Sequence, residues 1–345
     1  MVLNSCTVTA AADYGVRQAA RRVHRENPAA RILVTGCYAQ RSPEELAALP
    51  GVEYVVGNSH KTGITRLLSQ ELPAAGENAQ FVPLHDLCHP GATAKILRDD
   101  IFSHQELLPA PVLGGPTGGR TRPNLKVQDG CNNRCSFCII PYVRGRSRSL
   151  RLQDVLDQIR GLCQMGFREV VLSGINLGRY GRDLDRGGGG KLRFAQMIRA
   201  ILKETPVERL RLSSVEPMDF TDEVLDLMAS SPRIAKHIHA PLQSGSDRIL
   251  RLMHRKYHPH NYRDRMEAAF ERMPNAAFGA DVMVGFPGER DEDFEETRSL
   301  IASLPFPDCS PSYLDEHARR GLVAPGIGPG ADTLHLHQHA DRFEG

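Results

Sequence analysis

The chain of 345 residues contains no tryptophan, and aromatic residues make up only 6% of it. No apolar run approaches the roughly 18 residues of a membrane-spanning helix. The net charge is only +2, which excludes a uniformly basic surface and directs attention to local clusters of charge. Residues 1–6 lack the basic stretch and the long apolar core of a secretory signal. We therefore expect a cytoplasmic protein without a membrane partner, in which thiols serve metals rather than disulfides.

Three of the eight cysteines lie on one short loop with the spacing Cys-x3-Cys-x2-Cys. They are Cys131, Cys135 and Cys138, and the aromatic residue Phe137 precedes the last of them. A 4Fe-4S cluster normally has four thiolate ligands, so three leave one iron open to a small molecule. A structural zinc site is the alternative, but zinc prefers paired ligands, and no fourth cysteine follows until Cys163, inside a helical pattern. The spacing predicts an iron–sulfur site.

Apolar patterns of strand and helix alternate after residue 123. Strands are predicted at 125–128, 168–173, 209–213, 237–242 and 277–284, and helices at 153–165, 194–203, 222–229, 246–253, 261–272 and 291–303. This alternation predicts an α/β fold with a parallel sheet and right-handed crossovers, open or closed as a barrel. We expect residues 1–72 to form a smaller α/β unit, 73–122 a Gly- and Pro-rich linker, and 123–305 the main unit.

Residues 306–345 diverge from this pattern, because proline, glycine and histidine recur and periodicity stops. We expect a disordered tail there. Its alternating histidines between 335 and 339 leave a metal site as the alternative.

Cys6 and Cys37 each follow a predicted strand of the first unit. In a parallel sheet both would lie at the carboxyl edge, where ligands bind. We therefore expect the two thiols to be close in space.

The cysteine loop resembles the signature of the radical S-adenosylmethionine (radical SAM) enzymes. In that superfamily the open iron chelates the amino and carboxylate groups of S-adenosylmethionine, and the reduced cluster cleaves it to a 5′-deoxyadenosyl radical. Further segments resemble the methylthiotransferases, most closely those that act on tRNA threonylcarbamoyladenosine: 4–8, 35–40, 56–58, 138–149, 172–178, 212–217, 239–246 and 281–289. The resemblance implies a small parallel α/β domain at the N-terminus and a partial (β/α) barrel.

The resemblance also implies the cofactors and partners. A 4Fe-4S cluster on Cys131, Cys135 and Cys138 would bind S-adenosylmethionine. Cys6 and Cys37 match two ligands of a second 4Fe-4S cluster. The third lies upstream of the Asn-Ser-Cys motif in the family, so we expect an N-terminal domain truncated at its start. The partners would be tRNA and an electron donor such as flavodoxin or ferredoxin.

The cofactor-binding residues implied by the resemblance are Phe137, Gly174, Asn176, Glu216, Gln243, Ser244 and Gly285. No catalytic residue is assigned beyond the cluster ligands. Glu216 would accept hydrogen bonds from ribose hydroxyls, with a turn or cap before Pro217 as the alternative. For Gln243 and Ser244 the alternative is simple turn chemistry, and for Gly285 a tight turn.

Arg144, Arg146 and Arg148 follow the cysteine loop in a segment rich in serine and glycine. Guanidinium groups suit phosphate contacts, so the run predicts RNA binding beside the open iron. A solvated charged face is the alternative.

The function implied is transfer of a methylthio group to carbon 2 of N6-threonylcarbamoyladenosine next to the tRNA anticodon. A target base in a single-stranded loop suits recognition of a splayed-out base. Two alternatives stay open. One is the family's modification of an aspartate in a ribosomal protein, and the other is a non-catalytic fragment that binds one cluster and RNA.

Overall fold

The computed structural model describes residues 1–71, 94–104, 107, 121–184, 192–304 and 332–337. The chain divides into two compact units. The first contains Met1–Gln105 and Ile139–Gly145, and the second contains Glu106–Cys138 and Arg146–Gly345. The sequence predicted a first unit that ends at residue 72, whereas the structure adds residues 94–104 and a short segment that follows the cysteine loop.

The first unit is a four-stranded parallel sheet in the order β1-β2-β3-β4 with helices between its strands. Its elements are β1 (Val2–Ser5), α1 (Ala10–Glu26), β2 (Ile32–Gly36), α2 (Cys37–Arg41), α3 (Pro43–Ala47), β3 (Val52–Gly57), α4 (Ile64–Glu71), β4 (Lys95–Leu97) and α5 (Ile140–Arg144). Every residue of β2 is buried, as expected for a central strand covered on both faces. Thr9 caps α1 by accepting the N–H of Ala12 at 3.1 Å.

The second unit contains five parallel strands joined by helices. Its elements are β5 (Asn124–Asp129), β6 (Arg148–Ser149), α6 (Leu152–Gln164), β7 (Glu169–Gly174), α7 (Phe194–Glu204), β8 (Arg209–Leu212), α8 (Asp222–Ser230), β9 (His237–His239), α9 (Asp247–Leu252), α10 (Pro259–Arg272), β10 (Ala277–Val284), α11 (Asp291–Ser303) and β11 (Asp332–His337). The strands β5, β7 and β8 pair in parallel, as do β9 and β10. A parallel bridge between Leu210 and Ile234 joins the two groups.

The prediction of an N-terminal parallel α/β domain followed by a partial (β/α) barrel is confirmed by these sheets. Alternate strand residues such as Leu125, Val127 and Leu172 pack in the core with α6 and α7. Strand residues that alternate with buried ones, such as Lys126 and Arg211, are only half-buried. Of the predicted tail, the structure describes only β11, which pairs antiparallel with β10.

The helices in the described part of the chain include none that is both long and apolar enough to cross a bilayer.

Asp293 fixes the loop that follows β9. This buried carboxylate, in the first turn of α11, accepts hydrogen bonds from Ser246 Oγ at 2.8 Å, Arg248 Nε at 3.0 Å and Arg290 N at 3.0 Å. The hydrogen bond from Arg248 holds the pKa of Asp293 well below its usual range. On the same helix Thr297 Oγ1 accepts the N–H of Gly245 at 2.9 Å. The loop is therefore held to α11 by buried polar contacts.

We expect Asp293→Ala to lower the free energy of unfolding by about 1–3 kcal/mol, because it leaves the buried hydroxyl of Ser246 without its partner and removes the acceptor of Arg248. The depressed pKa means that the carboxylate stabilises the fold above the unfolded Asp value of about 3.9, and that this contribution is lost as the pH falls through the folded value. Urea unfolding at several pH values measures both effects.

Glu295→Ala on the same helix is the control, since it removes only an exposed ion pair with Arg298 and should cost less than about 1 kcal/mol. Equal losses in the two variants would contradict the assignment.

Candidate metal centre

The cysteine loop begins where β5 ends. Gly130 has a φ of +71°, a left-handed turn that glycine adopts without strain, and its N–H donates to Asp129 Oδ1 at 2.8 Å. Cys131, Cys135 and Cys138 follow as half-buried thiols that form no disulfide. Within the described residues, no three His, Cys, Asp or Glu side chains form a group that could hold a single metal ion. In a 4Fe-4S cluster the thiolates bind separate irons.

The end of α9 anchors this loop. Ser136 N donates to the carbonyl of Met253 at 3.1 Å, and Ser136 Oγ donates to the carbonyl of Leu252 at 2.8 Å. Inside the loop, Cys138 N donates to Cys135 O at 3.1 Å. The position of the cysteines is therefore set by a helix end that is remote in sequence.

Hydrogen-bond donors lie beside the sulfur atoms of Cys131 and Cys135. Cys131 Sγ lies 3.3 Å from the N–H of Asn133 and 3.8 Å from Asn176 Nδ2, and Cys135 Sγ lies 3.6 Å from Arg255 Nη1. Burial raises the pKa of the Cys131 thiol, and the two donors beside it oppose that shift by stabilising the thiolate. Thiolates that accept N–H bonds are the donor set of an iron–sulfur cluster, so the residues present fit that group.

Gln128, which the sequence analysis missed, joins the cysteine loop to the loop after β7. Its fully buried amide accepts the N–H of Asn176 at 2.7 Å and donates to Gly130 O at 2.8 Å, Asp129 O at 3.0 Å and Ser147 Oγ at 2.9 Å. The only sequence signal was a polar residue near the end of a strand.

Gly174 allows the close approach of this amide. A Cβ at Gly174 would lie 3.0 Å from the side chain of Gln128, closer than most real Cβ contacts. Close packing against Gln128 therefore favours glycine at the end of β7, whether or not a cofactor binds there.

Two predicted cofactor residues present buried oxygen atoms without a partner. Asn176 Oδ1 and Gln243 Oε1 are buried, and neither has a hydrogen-bond partner among the described residues. Gln243 also has a φ of +65°, a conformation that is uncommon outside glycine. Because buried polar atoms are normally paired, these two oxygens are free to accept a hydrogen bond from a polar ligand.

The other predicted cofactor residues lie in different surroundings. Glu216 follows β8, and burial raises the pKa of its carboxyl although Arg255 beside it lowers it. Phe137 packs edge-on against Phe286, with ring centroids 6.4 Å apart. Ser244 is fully buried, and its hydroxyl lies 3.3 Å from that of Thr297.

Gly285 begins the turn after β10 with a φ of +74°, and its N–H donates to the carboxylate of Glu289. The cofactor roles of Ser244 and Gly285 stay predictions, as do those of the other predicted residues.

Cys6 and Cys37 each come directly after a strand residue, and these two strand residues are paired with each other. Ser5 of β1 pairs with Gly36 of β2, which pairs with Gly57 of β3. Cys37 is buried, and its sulfur lies 3.0 Å from Arg144 Nε and 3.5 Å from Asn58 Nδ2. Cys6 is exposed.

The three predicted RNA-binding arginines have different surroundings. Arg144 donates to the sulfur of Cys37, Arg146 is exposed, and Arg148 is only 8% exposed in the short strand β6. Their RNA contacts stay a prediction, and exposure favours Arg146 as the residue that meets phosphate.

We expect Gln128→Leu to lower the free energy of unfolding by about 2–3 kcal/mol, because it removes the buried partner of the N–H of Asn176 and of the carbonyl of Gly130. The variant should also retain less iron after desalting, since Gly130 precedes the first cysteine. Gln153→Leu is the matched control: Gln153 is exposed on α6, and its loss should cost about 0.5 kcal/mol or less. Equal stability of the two variants would contradict the role of Gln128.

Comparison with known families identifies both parts of the chain. A profile described as "Radical SAM superfamily" matches residues 125–301, and one described as "Uncharacterized protein family UPF0004" matches residues 1–57.

Curated relatives match most of the chain. Threonylcarbamoyladenosine tRNA methylthiotransferase MtaB is 38% identical over 88% of this chain in both Aquifex aeolicus and Bacillus subtilis, which covers 68% and 62% of those proteins. The tRNA-2-methylthio-N(6)-dimethylallyladenosine synthase of Carboxydothermus hydrogenoformans is 33% identical over 88% of this chain and 65% of its own length. The chain thus spans 62–68% of the length of these relatives.

Solved structures share the fold. The cobalamin-dependent radical enzyme OxsB with S-adenosylmethionine bound has a TM-score of 0.58 at 14% identity, over 92% of this chain and 46% of that chain. The radical S-adenosylmethionine methyltransferase TsrM of Kitasatospora setae has a TM-score of 0.54 at 16% identity, over 79% of this chain and 54% of that chain. Together with the sequence matches, these findings show that the chain belongs to the radical SAM superfamily and, within it, to the methylthiotransferase family.

Proposed function

We propose that the chain is an enzyme that transfers a methylthio group to carbon 2 of N6-threonylcarbamoyladenosine beside the tRNA anticodon. The observation that carries this proposal is the three-cysteine loop, with hydrogen-bond donors at the sulfurs of Cys131 and Cys135, next to the unpartnered oxygen of Asn176. The names of the Aquifex and Bacillus relatives support this substrate and favour tRNA over a ribosomal protein.

The residues of the second unit would hold the cofactors that are typical of the superfamily. Cys131, Cys135 and Cys138 would ligate a 4Fe-4S cluster that leaves one iron for S-adenosylmethionine. When bound, the pair supplies a 5′-deoxyadenosyl radical. The oxygens of Asn176 and Gln243 can each accept a hydrogen bond from a polar group of the cofactor.

Glu216 would orient the cofactor through its ribose hydroxyls. Its carboxylate lies after β8, at the edge of the sheet where ligands of parallel α/β folds bind. Phe137 and Phe286 form an apolar surface with Ile249 and Met253 that would exclude water from one side of the site.

A second 4Fe-4S cluster would use Cys6 and Cys37 of the first unit. Asn58 and Arg144 support this, because both place N–H groups at the sulfur of Cys37. The relatives extend beyond the matched region.

The partners would be tRNA, bound in part through Arg146, and a one-electron donor such as flavodoxin or ferredoxin. We place this reaction in the cytoplasm, where tRNA is modified.

Anaerobic reconstitution tests the proposal. The reduced protein should cleave S-adenosylmethionine to 5′-deoxyadenosine, and the mass of the target adenosine in tRNA should rise by the difference between a methylthio group and the hydrogen that it replaces. Cys135→Ser should abolish cleavage, because it removes a cluster ligand. Cys163→Ser is the control, since Cys163 packs at the edge of the core and lies on α6. Full iron content and full cleavage in Cys135→Ser would overturn the proposal.

Charge reversal tests the tRNA assignment. We expect Arg146→Glu to weaken tRNA binding and to reduce the log–log salt slope by about 0.7–0.9, the contribution of one phosphate contact. Arg168→Glu is the control, because Arg168 is 82% exposed just before β7, at the opposite end of that strand from Gly174. Binding titrations at several salt concentrations measure the slope. Equal slopes for Arg146→Glu and Arg168→Glu would show that net charge alone, and not Arg146, determines binding.

A further inference from the structure

A buried cation lies inside the candidate site. The side chain of Arg255 is 7% exposed, and its guanidinium group meets three different partners. Nη2 donates to the carboxylate of Glu216, Nη1 lies 3.6 Å from Cys135 Sγ, and Cζ lies 5.0 Å from the centroid of the Tyr257 ring.

The partners of Arg255 are themselves fixed. The hydroxyl of Tyr257 shares its proton between the carbonyls of Leu242 at 2.7 Å and Pro241 at 3.0 Å, so its ring is a rigid face for the guanidinium. The backbone N–H of Arg255 donates to Leu250 O at 2.8 Å, which ties the residue to the end of α9. The same helix end holds Ser136 of the cysteine loop, so one element positions both the cation and the thiol beside it.

Stability alone does not explain this arrangement. An ion pair taken out of water is often no more stabilising than an apolar pair of the same volume. Arg255 also retains a buried Nε without a partner among the described residues, a further cost to the fold. The planar fork of an arginine can reach two acceptors at once, here a carboxylate and a sulfur, which a lysine cannot do in the same way.

We propose that Arg255 is a positioning residue that raises the reduction potential of the cluster on the cysteine loop and orients Glu216 for the ribose of S-adenosylmethionine. The inference rests on the proposed function, because it takes the loop as the site of the cofactor-binding cluster. Positive charge and N–H donation at a cluster thiolate stabilise the reduced, more negative state. The same cation holds the carboxylate in one orientation as an acceptor for hydroxyl groups.

The first test compares reduction potentials. Reconstituted wild type, Arg255→Met, Arg255→Lys and Arg251→Met are titrated anaerobically, and the EPR signal that changes on addition of S-adenosylmethionine reports the loop's cluster. We expect a more negative potential in Arg255→Met and a potential close to wild type in Arg255→Lys, which retains the charge. Arg251→Met is the matched control, because Arg251 is 73% exposed one turn earlier and pairs with the exposed side of its own helix through Asp247.

The second test measures the affinity for S-adenosylmethionine by equilibrium dialysis. Arg255→Met and Glu216→Gln should each weaken binding about tenfold, the effect of one charge-assisted contact. The double variant should bind about as weakly as either single variant, because the two residues act as a unit. Arg255→Lys should also bind weakly, since it cannot hold the carboxylate and the sulfur together.

The outcomes distinguish a failure of this inference from a failure of the proposed function. Arg255→Met with wild-type iron content, potential and affinity would overturn the inference. If Arg255→Met fails to fold, Arg255→Lys decides, and an unchanged affinity in that variant would overturn it equally. A wild type whose cluster signal does not respond to S-adenosylmethionine would instead overturn the proposed function, and the inference would fall with it.

Discussion

A parallel sheet brings the carboxyl ends of all its strands to one edge, and the polar groups of the candidate site depend on that arrangement. No two strands of the second unit that carry the site are joined by a tight hairpin, because parallel strands need a crossover between them. Residues far apart in sequence therefore meet at the edge. The groups at or after the ends of the five strands are the cysteine loop, Gly174 with Asn176, Glu216, Gln243 with Ser244, and Gly285.

Buried polar side chains then fix these loops in place. Gln128 ties the cysteine loop to Asn176, Arg255 ties Cys135 to Glu216, and Asp293 ties the loop after β9 to α11. Each of them would leave several partners unpaired if it moved, so alternative loop positions are costly. The site is thus held in shape by the chain itself, and its few unpartnered atoms are the positions at which a ligand can add a hydrogen bond.

The sequence allowed the five parallel strands and the helices between them to be predicted because these have a clear period and a clear end, whereas β6 and β11 were not predicted. The predicted helix at 291–303 and the strand at 277–284 have the bounds found in the structure. Contacts between residues that are far apart in the sequence leave no periodic pattern in it. Neither Gln128 nor Arg255 could be assigned a role, since their partners come from loops that follow other strands. Strand β4 was missed for a related reason: it is three residues long and lies just after a stretch rich in proline and glycine.

The three arginines after the cysteine loop show that spacing in the sequence does not determine how exposed each side chain is. Arg144, Arg146 and Arg148 look equivalent in the sequence, two residues apart in a segment rich in serine and glycine. The chain enters the first unit at Ile139 and leaves it at Gly145, so Arg144 ends a helix beside Cys37. Arg148 instead pairs with Asp129 in an antiparallel strand and is buried there. Only Arg146, between them, has the exposure that a phosphate contact needs. A charge run therefore becomes evidence for nucleic-acid binding only once the burial of each member is known, because neighbouring guanidinium groups can stabilise a thiolate, pack in a sheet and face solvent.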